Sequence, residues 1–494
     1  MKVKNITTLG ELKRSGYRPK NIKDELRDNL IQILQRKEPF FTEIKGYDDT
    51  VIPQLQTAIL AQHNILLLGL RGQAKTRIAR LMTDLLDEYI PVVAGTDLND
   101  DPLNPLSRMA KSMIEDMGDK TPVSWLHRSE RYTEKLATPD VSVADLIGDI
   151  DPIKAATMKL TYADERVIHY GLLPRSNRNI FVINELPDLQ PRIQVALFNI
   201  LQEGDIQIRG FKLRLPLDIQ FVFTANPEDY TNRGSIVTPL KDRIGSQIMT
   251  HYPKSVEVSG TITSQEARIS DEQKKKINVD SLLNVLIEQI AMEARKSDLI
   301  DQKSGVSARL TISALESLYS ACERRMLLNN DSATQARIGD LYSIIPAITG
   351  KVELVYEGEL EGIQNVAYTL IGKAIRKIFL EYFPDPEKIK KSKKENVFAK
   401  VTGWFDEGNE VDVWFQSAND EYEKNLRSVN SLESTVKSLR NKLHGDNLLL
   451  WMEFLLHGLA EFSQISKLQL ASGLQFKDLM GSMMNFRHEK DSEE

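Results

Sequence analysis

Asn64-Ile-Leu-Leu-Leu-Gly69-Leu-Arg-Gly72-Gln-Ala-Lys75-Thr76 is the stretch from which the rest of the chain can be read. Its apolar run stops at a glycine, as a strand buried on both faces does. Beyond Thr76, residues Ile78, Leu81, Met82, Leu85 and Leu86 recur at helical spacing. A strand, a glycine-bearing loop and a helix opened by lysine and threonine have the shape of a Walker A phosphate loop. Gly69, Gly72, Gln73 and Ala74 would line the cradle, because glycines let backbone N–H groups turn inward and the helix start adds its positive dipole end. Lys75 would reach the β- and γ-phosphates of ATP, and the Thr76 hydroxyl would bind Mg²⁺. Ala74 stands where a glycine is expected before the lysine, and its methyl is the smallest intrusion the loop could meet. The plainer alternative is a strand–turn–helix corner with an incidental lysine, and the context argues against it as much as the letters do.

Working outward, Asn179-Ile-Phe-Val-Ile-Asn184-Glu185 has the form of a Walker B strand, four apolar residues ending in two polar ones. Asn184 occupies the position where an aspartate normally helps hold Mg²⁺. Its amide keeps an oxygen acceptor but loses the charge a hard cation prefers. Asp188, beyond Pro187, is a candidate source of that charge. Glu185 can act as general base, the alternative being a helix cap. Ile219 to Ala225 is a third strand-like run, ending in Asn226 before Pro227. Alone, Asn226 reads as a turn residue. In an open α/β sheet, however, ligands bind outside the carboxyl ends of the strands. One edge then gathers a phosphate loop, a base and a neutral amide. Pro91 to Ala94 reads as a further strand, and the alternation of strands and helices argues for a parallel sheet sandwiched by helices.

Composition narrows the remaining classes. A length of 494 residues suggests about three domains. The formal charge of −6 does not suit a dedicated duplex-DNA binder, so no nucleic-acid partner is expected. Cys322 is the single cysteine, which excludes an internal disulfide and suits a cytoplasmic location. The most apolar stretch, Leu448 to Leu456, contains Glu453 and is too short for a membrane span. None of the 7 histidines pairs as HxxxH or has a cysteine neighbour, which argues against zinc. Four regions are expected: a helical segment 1–45; an α/β nucleotide-binding domain 46–258 with an insertion 95–178; a helical region 259–360; and a mainly helical extension 361–494. In the last, Lys388 to Lys394 reads as an exposed linker. Leu426, Val429, Leu432, Val436, Leu439 and Leu443 read as a helical hairpin arm or a partner-binding helix. Trp404, Phe405, Trp414 and Phe415 read as core more readily than as a docking surface.

In these residues taken together, the chain resembles AAA+ ATPases of the MoxR and magnesium-chelatase I-subunit clade. Gly69 to Thr76, with alanine before the lysine, is the MoxR form of Walker A. Leu136 to Asp140 and Asp145 to Asp149 are similar to the clade's helix-2 insertion, and Gly171-Leu-Leu173 also fits. Gln194 to Gly204 is followed by Ile206 to Gly210 and Leu213 to Pro216, a pair similar to the clade's extra β-hairpin. Thr224 to Glu228 resembles sensor 1, Leu240-Lys-Asp-Arg243 an arginine-finger motif, and Ser307-Ala-Arg309 sensor 2. The resemblance spans about residues 46–350 and leaves 361–494 unassigned.

It implies a hairpin at 205–216, a lid formed by 259–360, and a homo-oligomeric ring, usually a hexamer, with ATP between neighbours. Glu185, Asn226 and Arg243 would be catalytic, Arg243 entering the adjoining subunit's site. Arg309 would contact phosphate within its own subunit. Thr76 and Asn184 would hold Mg²⁺. The clade commonly acts with a partner carrying a von Willebrand A domain, as a chaperone-like remodeller or as a metal-chelatase motor. Asn184 leaves open a further reading, a nucleotide-gated scaffold that hydrolyses little.

Overall fold

The computed structural model describes residues 6–161, 164–208, 214–227, 235–391, 396–440, 443 and 445–479. Residues 1–251 and 252–494 form two compact units.

In the first unit a five-stranded sheet runs in the order Ser246–Met249, Ile65–Leu68, Ile219–Ala225, Asn179–Asn184, Tyr132–Leu136. All neighbouring strands are parallel. Numbered along the chain, the order is fifth, first, fourth, third, second. The three middle strands are buried at every position, which is why they read as unbroken apolar runs. Alternate residues face opposite layers. Ile65, Leu67, Ile180, Val182 and Val222 pack with residues of the helices Ile22–Arg36, Val51–Leu60 and Lys75–Leu81. Leu66, Phe181, Ile183, Phe221 and Phe223 pack on the other side with Leu186, Ile193, Leu197 and Ile200. The expected α/β sandwich is therefore present. Leu68 pairs with Ala225 and Leu136 with Asn184, so Gly69, Glu185 and Asn226 leave the sheet at one edge.

Two sequence expectations need correction. Pro91 to Ala94 does not join the parallel sheet: Tyr89–Val93 pairs antiparallel with Val123–His127 in a ribbon of its own. Tyr132–Leu136, inside the segment 95–178 read as an insertion, is instead an edge strand of the main sheet. Its residues Tyr-Thr-Glu-Lys-Leu are half-buried or exposed and carry no apolar run, so periodicity gave no sign of it. The strands Asp205–Gln207 and Arg214–Pro216 pair antiparallel, as the hairpin reading expects, and residues 209–213 between them lie outside the described residues.

A buried ion pair pins the N-terminal helix to this sheet. Arg131 donates to both carboxylate oxygens of Glu25 at 2.6 and 2.7 Å and to the Arg178 carbonyl at 3.0 and 2.8 Å. Nearby, Asp218 accepts from the Ile22 N–H at 2.8 Å. Burial pushes its carboxyl up to about 6, against the pull of Ile22 N–H, Arg178 and Arg131. A carboxyl raised on folding stabilises most below its unfolded value near 3.8 and loses that contribution as pH rises through about 6. Asp218→Asn is thus expected to raise stability at pH 7 by about 1–3 kcal/mol and to flatten the loss between pH 4 and 6. Urea unfolding of both proteins across that range checks it.

The second unit is built on the helices Ser281–Ala294, Arg309–Asn329, Ile363–Tyr382 and Gly445–Glu461. One apolar core runs through it from Ile277 to Phe476, so residues 259–360 and 361–494 share that core. Val411–Trp414, Gly473–Lys477 and Ser466–Gln469 form a small antiparallel sheet, an addition to the mainly helical reading of this region. The leucine–valine pattern from Leu426 belongs to two short helices, Asn419–Ser428 and Leu432–Leu439. Leu426, Val429, Leu432 and Val436 are buried, so this segment is core and not a projecting arm. Phe405 is fully buried, and Trp404 and Phe415 pack against the same core. The lysine run begins in the helix Pro386–Lys391, and residues 392–395 lie outside the described residues. Among the described residues no helix is long and apolar enough to cross a membrane.

Candidate functional site

The phosphate loop closes as its residue types require. Gly72 sits at φ 73° and Ala74 at φ 57°. The left-handed region costs an L-residue about 1–2 kcal/mol, so Ala74 carries strain that a glycine would not. Gly69 has no room for a side chain: a Cβ there would lie 1.9 Å from Thr250 Oγ1 and 2.3 Å from Gln73 Oε1. Gln73 turns its side chain away from the cradle, accepting from Thr250 Oγ1 at 2.7 Å. Its carbonyl accepts from Tyr47 at 3.1 Å. Both of its oxygens are thus engaged, and its backbone N–H is a donor suited to a phosphate. The helix Lys75–Leu81 then starts directly at the lysine.

Lys75 is buried and donates to the carbonyls of Gly69 and Leu70, the latter at 2.9 Å, and to Asn226 Oδ1 at 2.8 Å. Asn226 in turn donates to Glu185 Oε2 at 2.9 Å. Lysine, amide and carboxylate, 151 and 41 residues apart along the chain, thus form one hydrogen-bonded row at the sheet edge. Glu185 leaves its strand at φ 56°, a left-handed kink that re-aims the chain at the strand's end. Its N–H donates to Thr224 Oγ1 at 3.2 Å. Phosphate oxygens are stronger acceptors for an ammonium than neutral carbonyls are. A triphosphate can therefore draw Lys75 from its carbonyl partners.

Asn184 is also buried. Its Oδ1 accepts from Thr76 Oγ1 at 3.4 Å and from Thr224 Oγ1 at 3.0 Å. Its Nδ2 donates to Glu134 Oε1 on the edge strand. The carboxylate bonded to Asn184 is thus that of Glu134, while Asp188 sits in the turn Leu186–Asp188 with its N–H on the Glu185 carbonyl at 2.9 Å. Sequence reasoning missed Glu134, because no spacing rule ties residue 134 to residue 184 before the strand order is known. No cluster of three acidic, histidine or cysteine residues able to hold a metal exists among the described residues. Thr76 and Asn184 fit instead a Mg²⁺ bound chiefly through phosphate oxygens and water, with one or two protein ligands.

Arg243 does not join this row. Arg243 caps the helix Thr238–Asp242. It donates to Gln202 Oε1 at 3.1 and 2.8 Å and to the Pro239 carbonyl at 2.8 Å, over the Phe198 ring. Among the described residues its guanidinium bonds to neutral partners in its own chain, as a residue able to exchange them for a phosphoryl group requires. Arg309 opens the helix Arg309–Asn329 in the second unit, with Nε donating to Ser307 Oγ at 3.2 Å. Glu228, the last residue of the sensor-1 resemblance, lies outside the described residues.

Comparison with known proteins agrees with the geometry. No family model matches the chain. The magnesium-chelatase 38 kDa subunit of Cereibacter sphaeroides is 28% identical over 241 residues, 48% of this chain and 66% of that protein. The same subunit of Rhodobacter capsulatus is 28% identical over 221 residues, 44% of this chain and 57% of that protein. The chain thus spans less than two thirds of the length of either relative. A chain of the BchI–BchD complex of magnesium chelatase, built on cryo-EM data, is 20% identical, with 65% of this chain and 98% of that one covered at a TM-score of 0.35. The parallel sheet, with its lysine loop after the first strand, is in keeping with what the two curated relatives indicate: over about half its length the chain is similar to magnesium-chelatase 38 kDa subunits.

Proposed function

We propose that this chain is an ATP-hydrolysing AAA+ ring protein, acting as a chaperone-like remodeller beside a von Willebrand A-domain partner. The observation that carries the hydrolytic reading is the row Lys75–Asn226–Glu185. It joins the residue that holds phosphate to the residue that takes a proton. Lys75 and the loop N–H groups bind the β- and γ-phosphates. Bound Mg²⁺ would neutralise charge on those phosphates, with Thr76 and Asn184 on its protein side. Asn226 orients Glu185, and Glu185 accepts the proton of the water that attacks the γ-phosphoryl group. Arg243 of the adjoining subunit stabilises the charge on the transferring group, which makes catalysis depend on assembly. The partner and the remodelling role rest on the resemblance to the clade.

Phosphate release from ATP is the test. It is expected to require Mg²⁺ and to rise in specific activity with protein concentration, because each site needs a neighbour's arginine. Asn184 favours one other reading, a nucleotide-gated scaffold. That reading wins if ATP drives assembly, seen by sedimentation, while phosphate release stays at background at every concentration.

A further inference from the structure

Asn184 is the chief departure from the Walker B pattern, and the strand beside it holds what the asparagine lacks. Glu134 pairs with Val182 in the parallel register, two residues before Asn184. Side chains two apart on a strand share a face, so Glu134 and Asn184 emerge on the same side of the sheet. The two hydrogen-bonding ends of the Asn184 amide are then assigned. Its oxygen faces Thr76 and Thr224, and its NH₂ faces the Glu134 carboxylate.

We propose that Glu134 replaces the missing Walker B charge. Asn184 passes the influence of the neighbouring carboxylate to the metal side of Thr76, and the pair Asn184–Glu134 does what one aspartate does elsewhere. Glu134 is a positioning residue, acting through Asn184. The inference rests on the nucleotide-binding reading of this site.

Three observations support it. The Glu134 side chain is only 27% exposed, so its charge is felt at short range. Its second oxygen is held by Arg80 Nη2 and by the Tyr132 hydroxyl, each at 3.0 Å, which fixes the carboxylate in place. Arg80 lies one turn after Thr76 on the phosphate-loop helix, yet its side chain is 67% exposed, so water screens much of its opposing charge. The arrangement also accounts for the asparagine. An aspartate at position 184 would set two carboxylates in hydrogen-bonding contact, which disfavours ionising both.

The pairing sets an expected order of variants that loss of the aspartate charge alone does not. The readout is the Mg²⁺ concentration needed for half-maximal binding of a non-hydrolysable ATP analogue, measured by calorimetry on the full chain. Glu134→Gln is expected to raise it by about 10- to 100-fold, the usual size of an outer-shell loss. Asn184→Asp alone gives no gain. The double variant Asn184→Asp with Glu134→Gln, which moves the charge back to the Walker B strand, restores the wild-type requirement. A Glu134→Gln protein with an unchanged Mg²⁺ requirement overturns the proposal, and so does a loss that the double variant fails to rescue. Mg²⁺-free ADP binding separates the two levels: if the wild-type chain binds no nucleotide, the functional reading fails, whereas bound nucleotide with an unmoved Mg²⁺ requirement removes Glu134 alone.

Discussion

Replacing Arg243 with alanine is expected to lower ATP turnover by about 10³–10⁵-fold, the range an arginine finger contributes in related phosphoryl transfers. Folding should change little. The guanidinium is only half-buried and bonds to Gln202 and the Pro239 carbonyl, neutral partners whose loss leaves no buried charge uncompensated. ATP binding should also persist, since the partners of Arg243, Gln202 and the Pro239 carbonyl, are not residues of the phosphate cradle. What sets a trans-acting arginine apart is complementation. Arg243→Ala subunits keep an intact cradle, and Lys75→Ala subunits keep an intact arginine. Mixed together, each inactive protein supplies what the other lacks at some of the interfaces. Phosphate release measured across mixing ratios should rise to a maximum between the two pure proteins. A flat line at background in every ratio would place Arg243 outside the catalytic machinery.

Glu185→Gln should separate binding from chemistry. Glutamine keeps the shape and an oxygen that can accept from Asn226 Nδ2, so the row from Lys75 to residue 185 survives. What it loses is the basicity needed to take a proton from water. Phosphate release is then expected to fall by about 10²–10⁴-fold while ATP stays bound. Steady-state release and analogue binding on the same preparation check both halves. If release falls and binding falls with it, Glu185 is a structural support of the loop and not the base.

How much of this was legible beforehand follows from what each residue must satisfy. The strands at Ile65, Asn179 and Ile219 are covered on both faces, and double burial leaves an apolar run that sequence displays directly. The phosphate loop was legible because a tight turn constrains residue type: Gly69 has no space for a Cβ, and Gly72 sits at positive φ. Tyr132–Leu136 was hidden because an edge strand needs no apolar run, and Glu134 was hidden with it. The relation of Glu134 to Asn184 exists only once the third strand pairs with the second, across 50 residues of sequence. Tyr89–Val93 shows the opposite failure. Its apolar character is real, but burial against an antiparallel partner produces the same letters as burial in a parallel sheet. In the second unit, Leu426 to Val436 carried the spacing of a docking helix, and the chain's own core occupies that face.

Isothermal titration calorimetry of ATP into the 494-residue chain with Mg²⁺ present tests most directly whether the sheet edge around Lys75 grips a triphosphate. A saturable heat is expected for the wild-type protein, an equal one for Glu185→Gln, and none for Lys75→Ala. A wild-type chain that gives no heat with ATP, or a Lys75→Ala chain that binds as the wild type does, would contradict that grip.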